Sequence, residues 1–415
     1  MKIYLFLIII AYIFKEAFKY LVIYMNLNRM RRKGDVVPPE FNGKINREGM
    51  KKTVDYQSER VRFGLIASLF NNIVIITFTF CGLLSIYNRW ITSLNLPFIF
   101  AGWLFFILLF YANEILSIPF GLYSSFKIEA RYGFNTMTPR LWLSDFLKSI
   151  SISTAMNSLL ILAGLLLIQW APDSWWIWVW AFILAYSMFI MYISPYVIEP
   201  LFNKFAPIDD ESLREKIIRL TDKAGIHVGR ILKMDASKRS RHTNAYFTGI
   251  GKTKRIVLFD TLLSGMDQDE IIAVLAHEIG HWKGRHILKM MVISAIVSLV
   301  ALFLTFRLTQ SDLLLRLFNI STDTLFAKLF IISFLAGIVG TPLKWLMSSI
   351  SRRHEREADR TSYELTSDGE RMVSALVKLS KENLSNLYPH PLYVAIYYSH
   401  PPVVERIRYI RSLAR

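Results

Sequence analysis

The sequence predicts an all-α polytopic membrane protein: seven transmembrane helices joined to a mainly helical domain that carries a small β-sheet. Three observations lead there. Of the 415 residues 53% are hydrophobic, against roughly 45–50% in soluble domains, and the mean hydropathy is +0.34. That excess is gathered into runs close to the roughly 20 apolar residues that a spanning helix needs. Basic residues, finally, crowd into alternate connections between the runs.

The spans are expected at 3–25, 63–87, 97–122, 149–170, 174–197, 288–310 and 325–348. The first is too long for a cleavable signal peptide, and Lys15, Glu16 and Lys19 lie too deep within it. Trp170, Trp175 and Trp176 flank their spans as aromatics do at a membrane interface. Lys and Arg number 9 in 26–62 without Arg62 at the edge, 4 in 123–148, 15 in 199–287 and 11 after 349. The other connections, 88–96, 171–173 and 311–324, hold 1, 0 and 1. The positive-inside rule therefore puts the N-terminus outside, and the large segments and C-terminus in the cytoplasm. The formal charge of +17 is thus topological, with attraction to anionic lipid as a lesser effect, and no nucleic-acid role is expected. Asn71, Asn72, Asn113, Glu114, Asn157 and Lys344 fall inside spans. Such groups either bond between helices or face water, and together they favour a hydrated interior.

Four segments follow: 1–198 with five spans and their loops, a cytoplasmic part 199–287, spans six and seven in 288–348, and a cytoplasmic tail 349–415. In the first cytoplasmic part Asp209–Ala224 reads as a charged helix. Arg230–Met234, Ala245–Thr248 and Arg255–Phe259 alternate like short strands, and Asp267–Gly280 reads as a helix. The tail is helical, with breaks at His390-Pro391 and at His400-Pro401-Pro402.

The chain has one cysteine, Cys81, which excludes an internal disulfide and a cysteine-built metal site. Histidine and carboxylates remain. In His277-Glu278-Ile279-Gly280-His281 the two imidazoles lie four apart on one helix face and can reach one metal ion. Glu278 stands beside the open coordination position, where it can take a proton from a water. A third ligand must come from elsewhere. The metzincin register would need histidine at 287, which is Ile, with His286 one residue off although Gly284 fits. The tail offers Glu355, Glu357 and Asp359 in His354-Glu355-Arg356-Glu357-Ala358-Asp359. Glu355 and Asp359 share a face, so one can bind the metal while the other holds a ligand histidine. Glu357 points to a different face.

Other blocks carry a likeness in the same order. They are Glu129-Ala130-Arg131-Tyr132-Gly133-Phe134-Asn135, Glu199-Pro200-Leu201-Phe202-Asn203-Lys204-Phe205 and Asn244-Ala245-Tyr246-Phe247-Thr248-Gly249. Arg255-Ile256-Val257-Leu258-Phe259-Asp260-Thr261-Leu262-Leu263, the histidine motif, Glu355-x-x-x-Asp359 and Ser399-His400-Pro401-Pro402-x-x-Glu405-Arg406 complete the set. Through most of its length the chain resembles the integral-membrane CAAX prenyl proteases of type 1. The resemblance implies seven helices around a large water-filled chamber, closed by the protease domain. It implies one Zn2+ held by His277, His281 and Glu355, with Asp359 beside it and Glu278 as base. It also implies that His400, with Arg406, stabilises the oxyanion, and that the strand around Asn244, Ala245 and Tyr246 pairs with an extended substrate.

The expectation is a zinc endopeptidase acting at the cytoplasmic membrane face on extended or lipid-tethered peptides, prenylated protein C-termini among them. The alternative is a general membrane quality-control protease without prenyl substrates. A transporter would keep its functional residues near the membrane midplane, whereas the histidine motif precedes span six. The length and the closing Ser412-Leu413-Ala414-Arg415, which is no dilysine signal, point to a prokaryotic inner membrane rather than the endoplasmic reticulum.

Overall fold

The computed structural model describes residues 2–249 and 255–414. Helices α1 (Lys2–Arg32), α2 (Arg47–Phe80), α3 (Leu83–Ser93), α4 (Phe98–Tyr123), α5 (Pro139–Trp170) and α6 (Trp175–Ile193) form its first half. Among the described residues, five helices are long and apolar enough to cross a membrane: α2, α4, α5, α6 and α11 (His286–Thr309). A bent pair, α13 (Leu325–Val339) and α14 (Thr341–Thr366), which meet at 56°, passes the same test only when the two are taken together, as a broken span or a re-entrant loop. The seven expected spans are therefore not all matched by length and composition, and two are reshaped. The run 63–87 stops at Phe80, because Gly82 takes φ +84 and starts the separate helix α3. The run 325–348 breaks at Gly340, and α14 carries on 18 residues past its expected end, so the 348/349 boundary falls inside one helix.

At one end of the helices, α3 and the short α12 (Leu313–Leu317) pack with α4 and α13 around Leu84, Ile91, Phe105, Leu315 and Phe326. The walls between are thinly packed. The accessible surface is 22374 Å², whereas a compact chain of 48.2 kDa would expose about 16,500 Å². Of the polar residues in spans, Asn72 is buried and bonds across helices to Tyr12, Glu16 and Tyr20 at 2.7–2.9 Å. Asn113 and Asn71 are exposed.

The other end carries the sheet. Its strand order is β1-β2-β4-β3, with β1 (Phe205–Pro207), β2 (Arg230–Met234), β3 (Ala245–Thr248) and β4 (Arg255–Phe259). The three expected strands keep their bounds, and β1 is an addition. Only β2 and β4 are parallel. Among the described residues β3 is an edge strand paired with β4. The short helices α7 (Glu199–Phe202) and α9 (Asp260–Gly265) join the sheet to its surroundings. Helices α8 (Glu211–Lys223) and α10 (Gln268–Lys283) cover it, burying Leu213, Ile217, Ile256, Leu258, Leu275 and Ile279 together. The tail adds α15 (Gly369–Glu382), α16 (Pro391–Tyr397) and α17 (Val403–Leu413).

Candidate metal centre

Helix α10 begins with a capping box: Asp267 accepts from the Glu270 backbone N–H at 2.9 Å, and the Glu270 carboxylate accepts from the Asp267 N–H at 3.0 Å. Buried Glu270 also takes Ser374 and Lys378 of α15, each at 2.6 Å. The apolar turns that follow lie in the core, so His277 is held on a rigid, buried helix. Helix α14 lies directly against α10. Gly280 permits the approach, since a Cβ there would fall 2.7 Å from the Ala358 Cα, and Ser362 donates to the Ala273 carbonyl at 2.8 Å.

That packing brings Glu355 to the two histidines. His277, His281 and Glu355 form the metal-capable group among the described residues. The Nε2 atoms of His277 and His281 are 3.2 Å apart. Glu355 Oε1 lies 3.2 Å from His281 Nε2, and Oε2 lies 3.4 Å from His277 Nε2. Tetrahedral ligands at about 2.0–2.2 Å from a metal stand about 3.3–3.5 Å from one another, so the three atoms are spaced for one ion. Glu355 is 3% exposed, and among the described residues its buried Oε2 has no hydrogen-bond partner, the Arg406 Nη1 standing 3.8 Å away. A buried carboxylate with one oxygen facing each imidazole nitrogen, and one of those oxygens lacking a hydrogen bond, fits a cation.

Behind the ligands, Asp359 lies 2.9 Å from His277 Nδ1. Arg406 clamps Asp359 with two bonds, Nε to Oδ2 at 2.9 Å and Nη2 to Oδ1 at 2.6 Å. Arg406 is 10% exposed, and its Nη1 also stands 3.8 Å from Glu355 Oε2, so it reaches both Asp359 and the ligand Glu355. His400 is at the open side: its Nε2 lies 3.2 Å from Glu355 Oε1, its Nδ1 2.9 Å from Ser399 Oγ, and its side chain is 60% exposed. Burial pushes the Glu278 carboxyl up from its ordinary value, against the pull of His277 and His281. Burial also opposes protonation of His277, but bonds to Asp359 and Glu355 outweigh it and raise the imidazole to about 9. A cation entering must therefore displace a proton.

Sequence reasoning missed one pair. His281 Nδ1 meets His286 Nδ1 at 3.0 Å, and His286 Nε2 meets Glu357 at 2.9 Å. These groups, set aside as ligands, hold a ligand instead. Gly284 was the available signal: a Cβ there would lie 2.2 Å from His286 Nε2. Of the expected substrate residues, Asn244 is exposed and Ala245 buried. The Tyr246 hydroxyl donates to Glu199 at 2.7 Å.

The family model described as CAAX prenyl protease N-terminal, five membrane helices, matches residues 26–204, and that of peptidase family M48 matches 207–414. CAAX prenyl protease 1 of Saccharomyces cerevisiae is 34% identical over 397 residues, 89% of this chain and 87% of that one. The Arabidopsis thaliana homologue is 38% identical over 72% of this chain and 70% of its own. The human one is 30% identical over 91% and 89%. The crystal structure of S. mikatae Ste24p aligns with a TM-score of 0.89, at 29% identity over 98% of both chains. Two adjoining family models and relatives at this identity along most of the length leave one conclusion: the chain belongs to the CAAX prenyl protease 1 family of M48 metallopeptidases and is a membrane-embedded peptidase.

Proposed function

We propose that the chain is a zinc endopeptidase that cleaves near the C-terminus of prenylated proteins at the cytoplasmic face of a membrane. The observation that carries the chemistry is the three-residue group with its orphaned Glu355 oxygen; the relatives' names carry the substrate. Zinc held by His277, His281 and Glu355 would supply Lewis acidity to the scissile carbonyl and to a water. Glu278, one residue along from His277, takes the proton from that water and delivers it to the leaving amine. His400 donates to the developing oxyanion from the open side. Asp359 fixes the His277 tautomer, and Arg406 fixes Asp359. The free edge of β3 at Asn244, Ala245 and Tyr246 pairs with an extended substrate. Purified protein offered matched prenylated and unprenylated peptides tests the reading. Faster cleavage of the prenylated peptide is expected; equal rates would replace it with general quality-control proteolysis.

Seven spans remain our reading, with α1 as the first. Its internal charges are turned inward: Glu16 pairs with Lys15 at 2.9 Å and Lys19 at 2.5 Å, and Lys19 donates to Ser68 of α2 at 2.7 Å. Its outer face shows Ile3, Phe6, Leu7, Ile10 and Phe14, as a lipid-facing helix would. The large excess of surface supports a water-filled chamber between the helices. The four segments 1–198, 199–287, 288–348 and 349–415 then become two helical walls, each followed by half of the peptidase. The relatives named are eukaryotic; they give the prokaryotic inner membrane no support and favour the endoplasmic reticulum. Tags on the two ends should be accessible on opposite sides of sealed vesicles, the N-terminal one extracytoplasmic. Both tags on one side would mean an even number of spans.

His400→Ala should lower kcat by about 10²–10³-fold, the effect of losing one oxyanion donor, with metal content unchanged. A role only in shaping the loop predicts a mild defect in KM or in yield. A role as ligand predicts loss of metal together with rate.

A further inference from the structure

Away from the metal centre, where α6 gives way to the sheet, lies a cavity of about 1070 Å³. None of the groups assigned to catalysis or metal binding lines it. Its walls are Pro195 and Tyr196 from the end of the span, Arg214 from α8, Lys204, and Arg230 and Arg255 from β2 and β4. Glu211 is the acidic residue on its lining, and it is engaged by Arg214 at 2.9 Å. Among the described residues, Lys204 and Arg230 make no side-chain ion pair.

Arg255 is the anomaly. It is 7% exposed, and among the described residues its buried Nε and Nη2 have no hydrogen-bond partner. A guanidinium keeps its charge under any ordinary condition, so burial cannot be relieved by losing a proton. The Tyr196 ring, 4.5 Å from the guanidinium carbon, and Phe205 at 5.9 Å supply π faces, which attract the cation but accept no in-plane N–H. These two donors share one edge of the planar fork and match a pair of oxygens on one anion; both are fully covered, so an anion reaches them only when the cavity wall over Arg255 opens.

Where the cavity sits narrows the anion. Tyr196, Val197 and Leu201, just past the end of α6, are exposed apolar residues of the kind that lie among lipid headgroups. We propose that this cavity binds the phosphate of an anionic membrane phospholipid. Arg255 holds two phosphate oxygens, Lys204 and Arg230 add charge at the mouth, and the Tyr196 segment lies along the lipid's glycerol region. The peptidase half would thereby be fastened to the headgroup layer beside span five.

Full-length protein in nanodiscs of phosphatidylcholine, with or without phosphatidic acid, tests the site. Phosphatidic acid should raise the Tm and remain bound in native mass spectra. In Arg255→Met its affinity should fall at least about tenfold, since one charge-assisted hydrogen bond alone is worth about that factor and the fork supplies two. Should that variant fail to fold, Lys204→Ala/Arg230→Ala leaves the buried arginine in place and should also lose the shift. Lys51→Ala/Lys52→Ala removes equal charge elsewhere and should retain it. Full binding in both cavity variants overturns the site, as does equal loss in the Lys51/Lys52 control, which would mark diffuse attraction. An equal Tm rise from inorganic phosphate in phosphatidylcholine discs overturns the lipid as ligand.

Discussion

Glu278→Gln is expected to reduce peptide hydrolysis by about 10³–10⁴-fold, near the upper range for loss of general acid–base catalysis, while metal content stays close to that of the native protein. The two halves of this result have separate causes. Glu278 lies outside the ligand group of His277, His281 and Glu355, so an uncharged isostere removes no donor from the metal. Its carboxyl sits where burial raises its proton affinity above the ordinary value, which suits a group that must accept a proton and then return it. Glutamine keeps the shape and cannot do either. Metal content and peptidase rate measured on one preparation decide the matter. An active Gln variant would remove Glu278 from the mechanism, and an inactive variant lacking metal would make it a ligand.

The site was more legible in the sequence than the membrane part, for a physical reason. A helix fixes its own geometry, so His277 and His281 four apart, and Glu355 and Asp359 four apart, were readable as two faces. The structure lays these faces against each other through Gly280 and Ala358. Strand alternation gave β2, β3 and β4 their bounds, whereas β1 is three residues long and owes its form to pairing with β2. Hydropathy cannot register a change of direction. It therefore ran one span through the left-handed Gly82 and another through the bend at Gly340. Nor could spacing reveal His286, because its link to His281 passes through a turn in which Arg285 takes φ +50. The place of Arg406 depended on a contact between distant segments, which sets its guanidinium against Asp359 and within 3.8 Å of Glu355.

Glu355→Ala should lose the metal and with it all hydrolysis, and Glu357→Ala should keep both within severalfold. The two residues are two apart on α14, and the helix turns them to different tasks. Glu355 is almost wholly buried, with oxygens 3.2 and 3.4 Å from the ligand nitrogens of His281 and His277. Removing it leaves two imidazoles, too few for a tight catalytic site, which ordinarily has three protein ligands. It also uncovers the charges that it balances, since Arg406 Nη1 stands 3.8 Å from Oε2. Glu357 has a side chain 57% exposed and touches the ring of His286, itself one step removed from the metal. Water can take its place at His286 Nε2, so the His281 ring keeps its support. Metal content after dialysis against a weak chelator separates the cases, with circular dichroism to show that both variants fold. A Glu357→Ala protein that loses metal while Glu355→Ala retains it would place the third ligand on the other face of α14. Loss from both would mean that the His281–His286–Glu357 chain matters to metal retention as much as the ligand itself.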